Sequence, residues 1–476
     1  MAPIAARWLA TAAPMGGGSQ RKEGSIADVF ASLSDTAEPF PARFAELKKQ
    51  LWKDELVESW RQVLRDLKEE VEVIAQKQQD AIPQVSFREM EKGLSANQIA
   101  AVKKAGSEAL AWKQSIIDYA SANKPLVKGF PPDNIQFFEL YNSPAQIQAR
   151  THPALIKTQT FLLSLWHTSN PSSPVSLTTP ISYFDRLRIR YPDPKDDWGT
   201  RGLGPHIDGG SIERWEDPGF RSCFGRILEG GDRWRLHDPF DATPRLSAKQ
   251  DLYEAPNQCT VFRAWQGWTS ISTTGPGEGT LRVLPMLSLS TAYILLRPFF
   301  KPTQFIASSD GKNVPSLEAD DWVPDLESPE FPGSRLGKTQ EMNVGTHPHL
   351  QLARTMVSVP TVEPGDQVYW HCDGVHAVES RHAGKGDSSV MYIPAVPLTL
   401  YNAQYLDKQR EAFLLGLPPS DFPGGEGESR FKGRAIPEDV RNVEGCRILG
   451  LAPFDVPQDA TEGARMVIEE ANSILF

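Results

Sequence analysis

From residue 181 to about residue 400 the chain is cut into short strands, and nothing else in the sequence restricts its fold so strongly. "ISYFDRLRIRYPDP" alternates strictly. Leu187, Ile189 and Tyr191 fall on one face and Arg186, Arg188 and Arg190 on the other, which is the period of a strand. Further strand-like runs follow in "QCTVFRAWQGWTSIST", "TLRVLPMLSLS", "TMVSVPTV", "GDQVYWHC" and "SSVMYIPAVP". The Gly/Pro turns "TGPGEG", "EPGD" and "HAGKGD" separate them. Many short strands with turn signals between them argue for a barrel or a double-sheet sandwich.

The flanks read differently. Phe44, Leu47, Leu51, Leu56, Trp60, Val63, Leu67, Val71 and Ile74 recur at helical steps and predict one long amphipathic helix over about 42–80, ended by Pro83. "SANQIAAVKKAGSEALAWKQSIIDYASANK" predicts a second helix, capped by Ser95 or Asn97. "NSPAQIQARTHPALIKTQTFLLSLWH" predicts two short ones with Pro144 and Pro153 in their first turns. After about residue 400 the pattern is again helix and loop. The expectation is an α+β chain: a flexible tail over 1–24, a mainly helical region over 25–175, a β core over 176–400 and a helical or loop extension over 401–476.

Composition narrows the class of function. A formal charge of −10 and a pI near 5.5 argue against a general grip on nucleic acid, which needs a basic surface. The sequence has no uncharged apolar run of membrane-spanning length. Its four cysteines, at 223, 259, 372 and 446, make no CxxC pair, so zinc-ribbon and thioredoxin chemistry drop out. The segment "MAPIAARWLATAAPMGGGSQRKEG" lacks the sustained apolar core of a secretory signal. A cytoplasmic protein with a flexible tail is expected, with a mitochondrial presequence as the alternative.

The chemistry is carried by "GPHIDGGSIERW". His206 and Asp208, at i and i+2, lie on one side of an extended backbone and can aim at one small object. An imidazole and a carboxylate aimed together suggest a metal. His-x-Asp occurs again as His371/Asp373 in "YWHCDGVHAVE", and solvated loop polars are commoner than metal sites. The second pair would need its third ligand downstream, where only His382 remains beyond the hairpin. One hairpin could hardly supply three ligands and still leave positions open. The preferred set is therefore His206, Asp208 and His376, the last two separated by 168 positions.

These stretches, with "ELYNSPAQIQARTHP", "DRLRIRYP", "VFRAWQGWTSIST", "GPGEGTLRVLP", "AYILLRPFF", "PGDQVYWHCDGVHAVE" and "SSVMYIPAVPLT", resemble the iron(II)/2-oxoglutarate-dependent oxygenases near the phytanoyl-CoA hydroxylase branch. More closely, they resemble the DUF1479 (YbiU-like) family. The resemblance implies a double-stranded β-helix (jelly-roll) core, Fe(II) held by His206, Asp208 and His376, and 2-oxoglutarate as cosubstrate. It also implies the ten-residue step from Asp366 to His376, with His371 standing as a non-ligand. The superfamily's usual arginine, ten to fifteen residues after the second histidine, is missing here. Arg263, inside an apolar-aromatic run expected to be a strand, is the first candidate to hold the distal carboxylate of 2-oxoglutarate; Arg282, Arg188 and Arg381 are its rivals.

The implied reaction oxidises an unactivated C–H bond of a small metabolite with O2, through hydroxylation, desaturation or ring closure. The arginines near the strands suggest an anionic group on that substrate. The resemblance implies a small amino acid such as valine as substrate, hydroxylated or closed to an aziridine. No nucleic-acid or membrane partner is expected. A cupin-like metal-dependent hydrolase and a catalytically inactive binding barrel are the competing readings.

Overall fold

The computed structural model describes residues 24–29, 39–85, 96–192, 203–307, 311 and 313–476, with side chains from residue 107 onward in the helix that begins at Ala96. The flexible-tail expectation for 1–24 and the Ser95 cap fall almost wholly outside these residues. In chain order the strands are β1 (Gly129–Phe130), β2 (Phe137–Phe138), β3 (Val175–Ile181), β4 (Leu187–Arg190), β5 (His206–Ile207), β6 (Trp265–Ser270) and β7 (Leu281–Val283). There follow β8 (Phe300–Pro302), β9 (Phe305–Ala307), β10 (Asn313–Pro315), β11 (Trp322–Pro324), β12 (Gln340–Glu341) and β13 (Val357–Ser358). The last four are β14 (Gln367–His371), β15 (His376–Val378), β16 (Ser388–Tyr392) and β17 (Val396–Thr399).

Two antiparallel sheets dominate this mixed α/β fold. One runs β1-β2-β4-β16-β6-β14 and the other β12-β5-β15-β7-β13. Strands far apart in sequence are neighbours in both. β4 pairs with β16 through Val390↔Arg188, and β5 pairs with β15 through His376↔His206. The pair β3/β17 stands apart, as do the small pairs β8/β11 and β9/β10.

The alternation of β4 is real, but its polar face does not meet solvent. All four of its residues are buried. Leu187 and Ile189 pack under the helices, against Trp112, Ile116 and Leu155. Arg188 and Arg190 point to the other side, where Arg190 donates to the carbonyls of Glu379 and Ser380 (2.8 and 2.9 Å). A guanidinium row facing inward is costly unless something polar is kept there.

Helices cover the outer faces. Pro144–Arg150 and Pro153–Leu163 have proline in their first turns, as the sequence indicates, and the first also begins with a capping box between Ser143 and Gln146. The expected helix over 42–80 is two helices, Arg43–Leu51 and Leu56–Lys77. Trp52 leaves the helix in an extended conformation, and its indole N–H donates to Asp54 (3.0 Å). The second helix stops at Gln78, whose φ is +47°, well before Pro83. Its Trp60 stacks on Phe300 and Tyr293, with centroids at 4.6 and 5.4 Å.

Part of the expected strand in "TLRVLPMLSLS" is helical. After β7 the chain forms the helix Leu287–Leu296, buried throughout residues 290–296. An apolar run of that length cannot be told from a strand by periodicity alone. The run through "TVFRAWQGW" becomes a strand only at Trp265, so Arg263 lies just ahead of β6. The helices Leu400–Leu415 and Glu462–Leu475 close the fold over β3 and β17. Among the described residues, no helix is long and apolar enough to cross a membrane.

Candidate metal centre

β5 is only two residues long, yet it lies between β12 and β15. His206 faces Glu341 on one side and His376 on the other. That register brings two imidazoles together from strands 170 residues apart. Their ring centroids are 4.2 Å apart. Asp208 follows β5, and its Oδ1 lies 3.4 Å from His206 Nε2 and its Oδ2 3.8 Å from His376 Nε2. One donor atom from each of the three residues fits within a 4.8 Å span.

Each histidine is oriented through its other nitrogen. His206 Nδ1 is 2.6 Å from Gly204 O, and His376 Nδ1 is 3.0 Å from Gly374 O. With the proton held on Nδ1, each Nε2 presents its lone pair. The charge states of His376 and Asp208 agree. Burial, aided by the His206 charge, pushes His376 down to about 3. Burial works against the Asp208 carboxylate, but His206, His376 and Arg263 outweigh it and hold it well below its usual range. Burial likewise opposes a proton on His206, yet the hydrogen bond and charge of Asp208 raise its pKa. A metal would displace that proton.

The segment after Asp208 shows why Gly-Gly and Arg follow. Gly209 and Gly210 have φ of +71° and +81°. A Cβ on Gly210 would stand 2.5 Å from the Phe220 ring. Arg214, fully buried, donates to Gly210 O (2.6 Å), Gly209 O (3.1 Å) and Gln340 Oε1 (3.2 Å). Glu213 accepts from Ser211 N (2.8 Å) and Leu252 N (3.2 Å). "SIERW" is therefore the fastening of the ligand loop.

The second His-x-Asp serves the other loop. His371 Nε2 meets Pro239 O at 2.9 Å, and its Nδ1 accepts from Asp373 N at 3.1 Å. Its ring stacks on Trp166, with centroids at 4.8 Å and planes 4° apart. Asp373 forms a two-point ion pair with Arg245, both buried. Cys372, pushed up to about 12 by burial, is no thiolate. His371, Cys372 and Asp373 could also converge on an ion, but His371 Nδ1 and the Asp373 carboxylate are already engaged. They brace the turn whose Gly374 carbonyl orients His376. Sequence reasoning missed Arg245, and no local pattern marks it.

A cavity of about 1000 Å³ opens on His206, Asp208 and His376 and is lined from both sheets. Of the four candidate arginines, Arg263 and Arg188 line it; Arg282 and Arg381 do not. Arg282 donates to Met356 O (2.7 Å), and Arg381 is exposed. Arg188 donates to Gly279 O (3.0 Å) and Ser388 Oγ (3.1 Å), while its Nε is buried without a partner. No described carboxylate lies in ion-pair range of it. Gln266 Oε1 and Trp370 Nε1 on the same cavity wall are also buried without partners, and the Trp370 ring lies 4.9 Å from that of His376. Arg263 stands between Asp208 (3.6 Å) and Asp185 (3.7 Å) over the Tyr183 ring.

Comparison with known proteins places the chain among relatives of the same build. The profile of the Gig2-like family matches residues 38–451. The uncharacterized protein YbiU of Escherichia coli (strain K12) is 31% identical over 398 residues, spanning 79% of this chain and 86% of its own. The crystal structure of GlcNAc Inducible Gene 2 (GIG2, DUF1479) from Candida albicans superposes with a TM-score of 0.77 at 30% identity, covering 92% of this chain and 95% of that one. A putative oxidoreductase from Salmonella typhimurium LT2 gives 0.70 at 31% identity, covering 87% and 99%.

Proposed function

The chain belongs to the Gig2-like (DUF1479) family, and on that premise we propose that it is an iron(II)/2-oxoglutarate-dependent oxygenase acting on a C–H bond of a small metabolite. One observation carries this reading. Two imidazole Nε2 atoms and one carboxylate converge at a cavity wall, the imidazoles already oriented from behind, in the donor set of a non-haem iron site with open positions.

The strand order supports it. Numbering the eight core strands β4–β7 and β13–β16 from one to eight, the six-stranded sheet contains 1-8-3-6 and the other 2-7-4-5. That interleaving is what a double-stranded β-helix requires, with ligands on the second and seventh strands. The printed name of the Salmonella relative, a putative oxidoreductase, points the same way.

Bound Fe(II) with 2-oxoglutarate and O2 supplies oxidative decarboxylation to succinate and CO2, coupled to oxidation of the substrate C–H bond. The protein's own work is positioning. His206, Asp208 and His376 would hold the ion on one side and leave the cavity side open. Arg188 is our choice for the distal carboxylate of 2-oxoglutarate. It carries no carboxylate of its own, and its Cα partner Val390 lies fourteen residues after His376, within the range where the superfamily's arginine usually stands. From the neighbouring strand its guanidinium would take over that arginine's task. Trp268, Trp370 and Tyr392 line the walls and exclude water.

The test is turnover of 2-oxoglutarate to succinate by the Fe(II)-loaded protein without added substrate. Slow uncoupled turnover, abolished by His206→Ala, Asp208→Ala or His376→Ala, is expected. Metal binding without turnover would instead favour a hydrolase, and no metal binding an inactive barrel.

A further inference from the structure

Once Arg188 is given to the cosubstrate, the cavity still holds a second guanidinium without a fixed role. The Arg263 side chain is 12% exposed and lines the cavity. It makes no hydrogen bond to any described residue, although five donors sit on its fork. Its two carboxylate neighbours, at 3.6 and 3.7 Å, are beyond hydrogen-bonding reach. Neither is wholly its own. Asp185 Oδ1 accepts from the backbone N–H and the Nε of Arg186 (2.7 and 3.3 Å). Asp208 is one of the three metal donors and would give much of its charge to the ion. With the metal bound, Arg263 is left a desolvated cation facing open space at the edge of the metal centre.

A guanidinium so placed is a ready receptor for a planar anion. 2-Oxoglutarate has one carboxylate to spare after chelating a metal, and Arg188 accounts for it. We propose that Arg263 binds a carboxylate of the primary substrate, and so fixes the substrate class as small carboxylates. The inference rests on the oxygenase reading above and adds a division of labour within it: Arg188 for the cosubstrate, Arg263 for the substrate. A carboxylate held there lies beside Asp208, which sets the substrate's neighbouring carbons within reach of the metal.

The test needs no knowledge of the true substrate. The full chain is loaded with Mn(II) and N-oxalylglycine, an unreactive analogue of 2-oxoglutarate, so that Arg188 and the metal positions that 2-oxoglutarate would chelate are filled. Carbon-13 acetate is then titrated, and its paramagnetic relaxation by Mn(II) reports binding near the metal; acetamide is the neutral control. Acetate should be relaxed and acetamide not. Arg263→Met should weaken acetate at least tenfold while Mn(II) and N-oxalylglycine bind as before. Arg263→Lys keeps a cation in place and should recover part of the acetate affinity. Arg188→Met should lose N-oxalylglycine instead.

Acetamide matching acetate, or acetate binding unchanged in Arg263→Met, overturns the proposal. So does Arg263→Met losing N-oxalylglycine, which would make Arg263 the cosubstrate anchor, or losing Mn(II), which would make it a support for Asp208. A wild-type chain that takes up neither Mn(II) nor N-oxalylglycine overturns the oxygenase reading itself, and this inference with it.

Discussion

His371 and His376 are five residues apart, both buried, and each is next to an aspartate in space. On the proposed reading they have opposite duties, so their alanine variants should fail in opposite ways. Removing His371 strips the partner from two buried backbone groups, Pro239 O and Asp373 N, and empties the space stacked against Trp166. Each orphaned group costs about 1–3 kcal/mol. The sum, about 3–5 kcal/mol, converts to a fall in Tm of about 3–5 °C for a chain of this length unfolding as one unit, with an unfolding entropy of about 1 kcal/mol/K. Its effect on metal is indirect, through the turn that carries Gly374, and should stay within about tenfold. His376→Ala forfeits one hydrogen bond, to Gly374 O, and about 1 kcal/mol of stability. It also removes a donor, so Mn(II) affinity should fall by more than about a hundredfold, beyond what the loss of an outer partner causes. Differential scanning fluorimetry of the metal-free proteins and Mn(II) titration by electron paramagnetic resonance read the two axes separately. A folded His371→Ala protein that cannot bind Mn(II), beside a His376→Ala protein that can, would refute the assignment.

Three further outcomes follow from the same contacts. Arg188→Met should weaken 2-oxoglutarate by about thirtyfold to several thousandfold, the range for truncating one partner of a desolvated charge pair (about 2–5 kcal/mol), while leaving Mn(II) binding intact; isothermal titration with an unchanged cosubstrate constant would discard Arg188 as the anchor. Asp373→Asn leaves Arg245 buried against a neutral amide and should cost about 3–5 kcal/mol in urea unfolding, with a loss of Mn(II) affinity because Gly374 shifts; a variant as stable as the parent would show that the pair is not a brace. Glu428 is raised to about 7 by burial, despite hydrogen bonds from Tyr141 N, Asn142 N and the Tyr119 hydroxyl. It holds its proton more tightly folded than unfolded, so its stabilising contribution is complete below about pH 4.5 and lost as pH rises through 7. The metal-free protein should lose up to about 3 kcal/mol from this group between pH 4.5 and 8, and an unflattened slope in Glu428→Gln would contradict the assignment.

What could be read from the sequence was whatever repeats locally. The alternation around Arg188, the first-turn prolines Pro144 and Pro153, and the turn at "EPGD" are short-range patterns, and the structure contains them. The pairing of His206 with His376 was reachable because one histidine opens a Gly-Pro/Gly-Gly loop and the other follows a turn and a strand. Contacts that join distant segments left no such mark. Nothing near Arg245 announces Asp373, 128 residues on, and nothing around "DRLRIR" says that the charged face of a strand looks inward. The helix Leu287–Leu296 was misread because burial on all sides erases the period that separates helix from strand. The sequence marks Arg263 as a cation in apolar surroundings that needs an anion; its neighbours Asp185 and Asp208 meet it only in the folded chain.

Arg214 and Arg245 tie down both ligand loops from behind, and this bears on which ion the centre can choose. A centre whose donors are already in place has no closing motion with which to reject a competitor. Two imidazoles and one carboxylate then follow the general order of divalent affinities, in which cobalt, nickel and copper all rank above ferrous iron. Selection would fall to supply rather than to fit. Metal found in the protein after purification in air would report the growth medium and the column, and only stripping followed by anaerobic reloading with each ion in turn would reveal which one the chemistry uses.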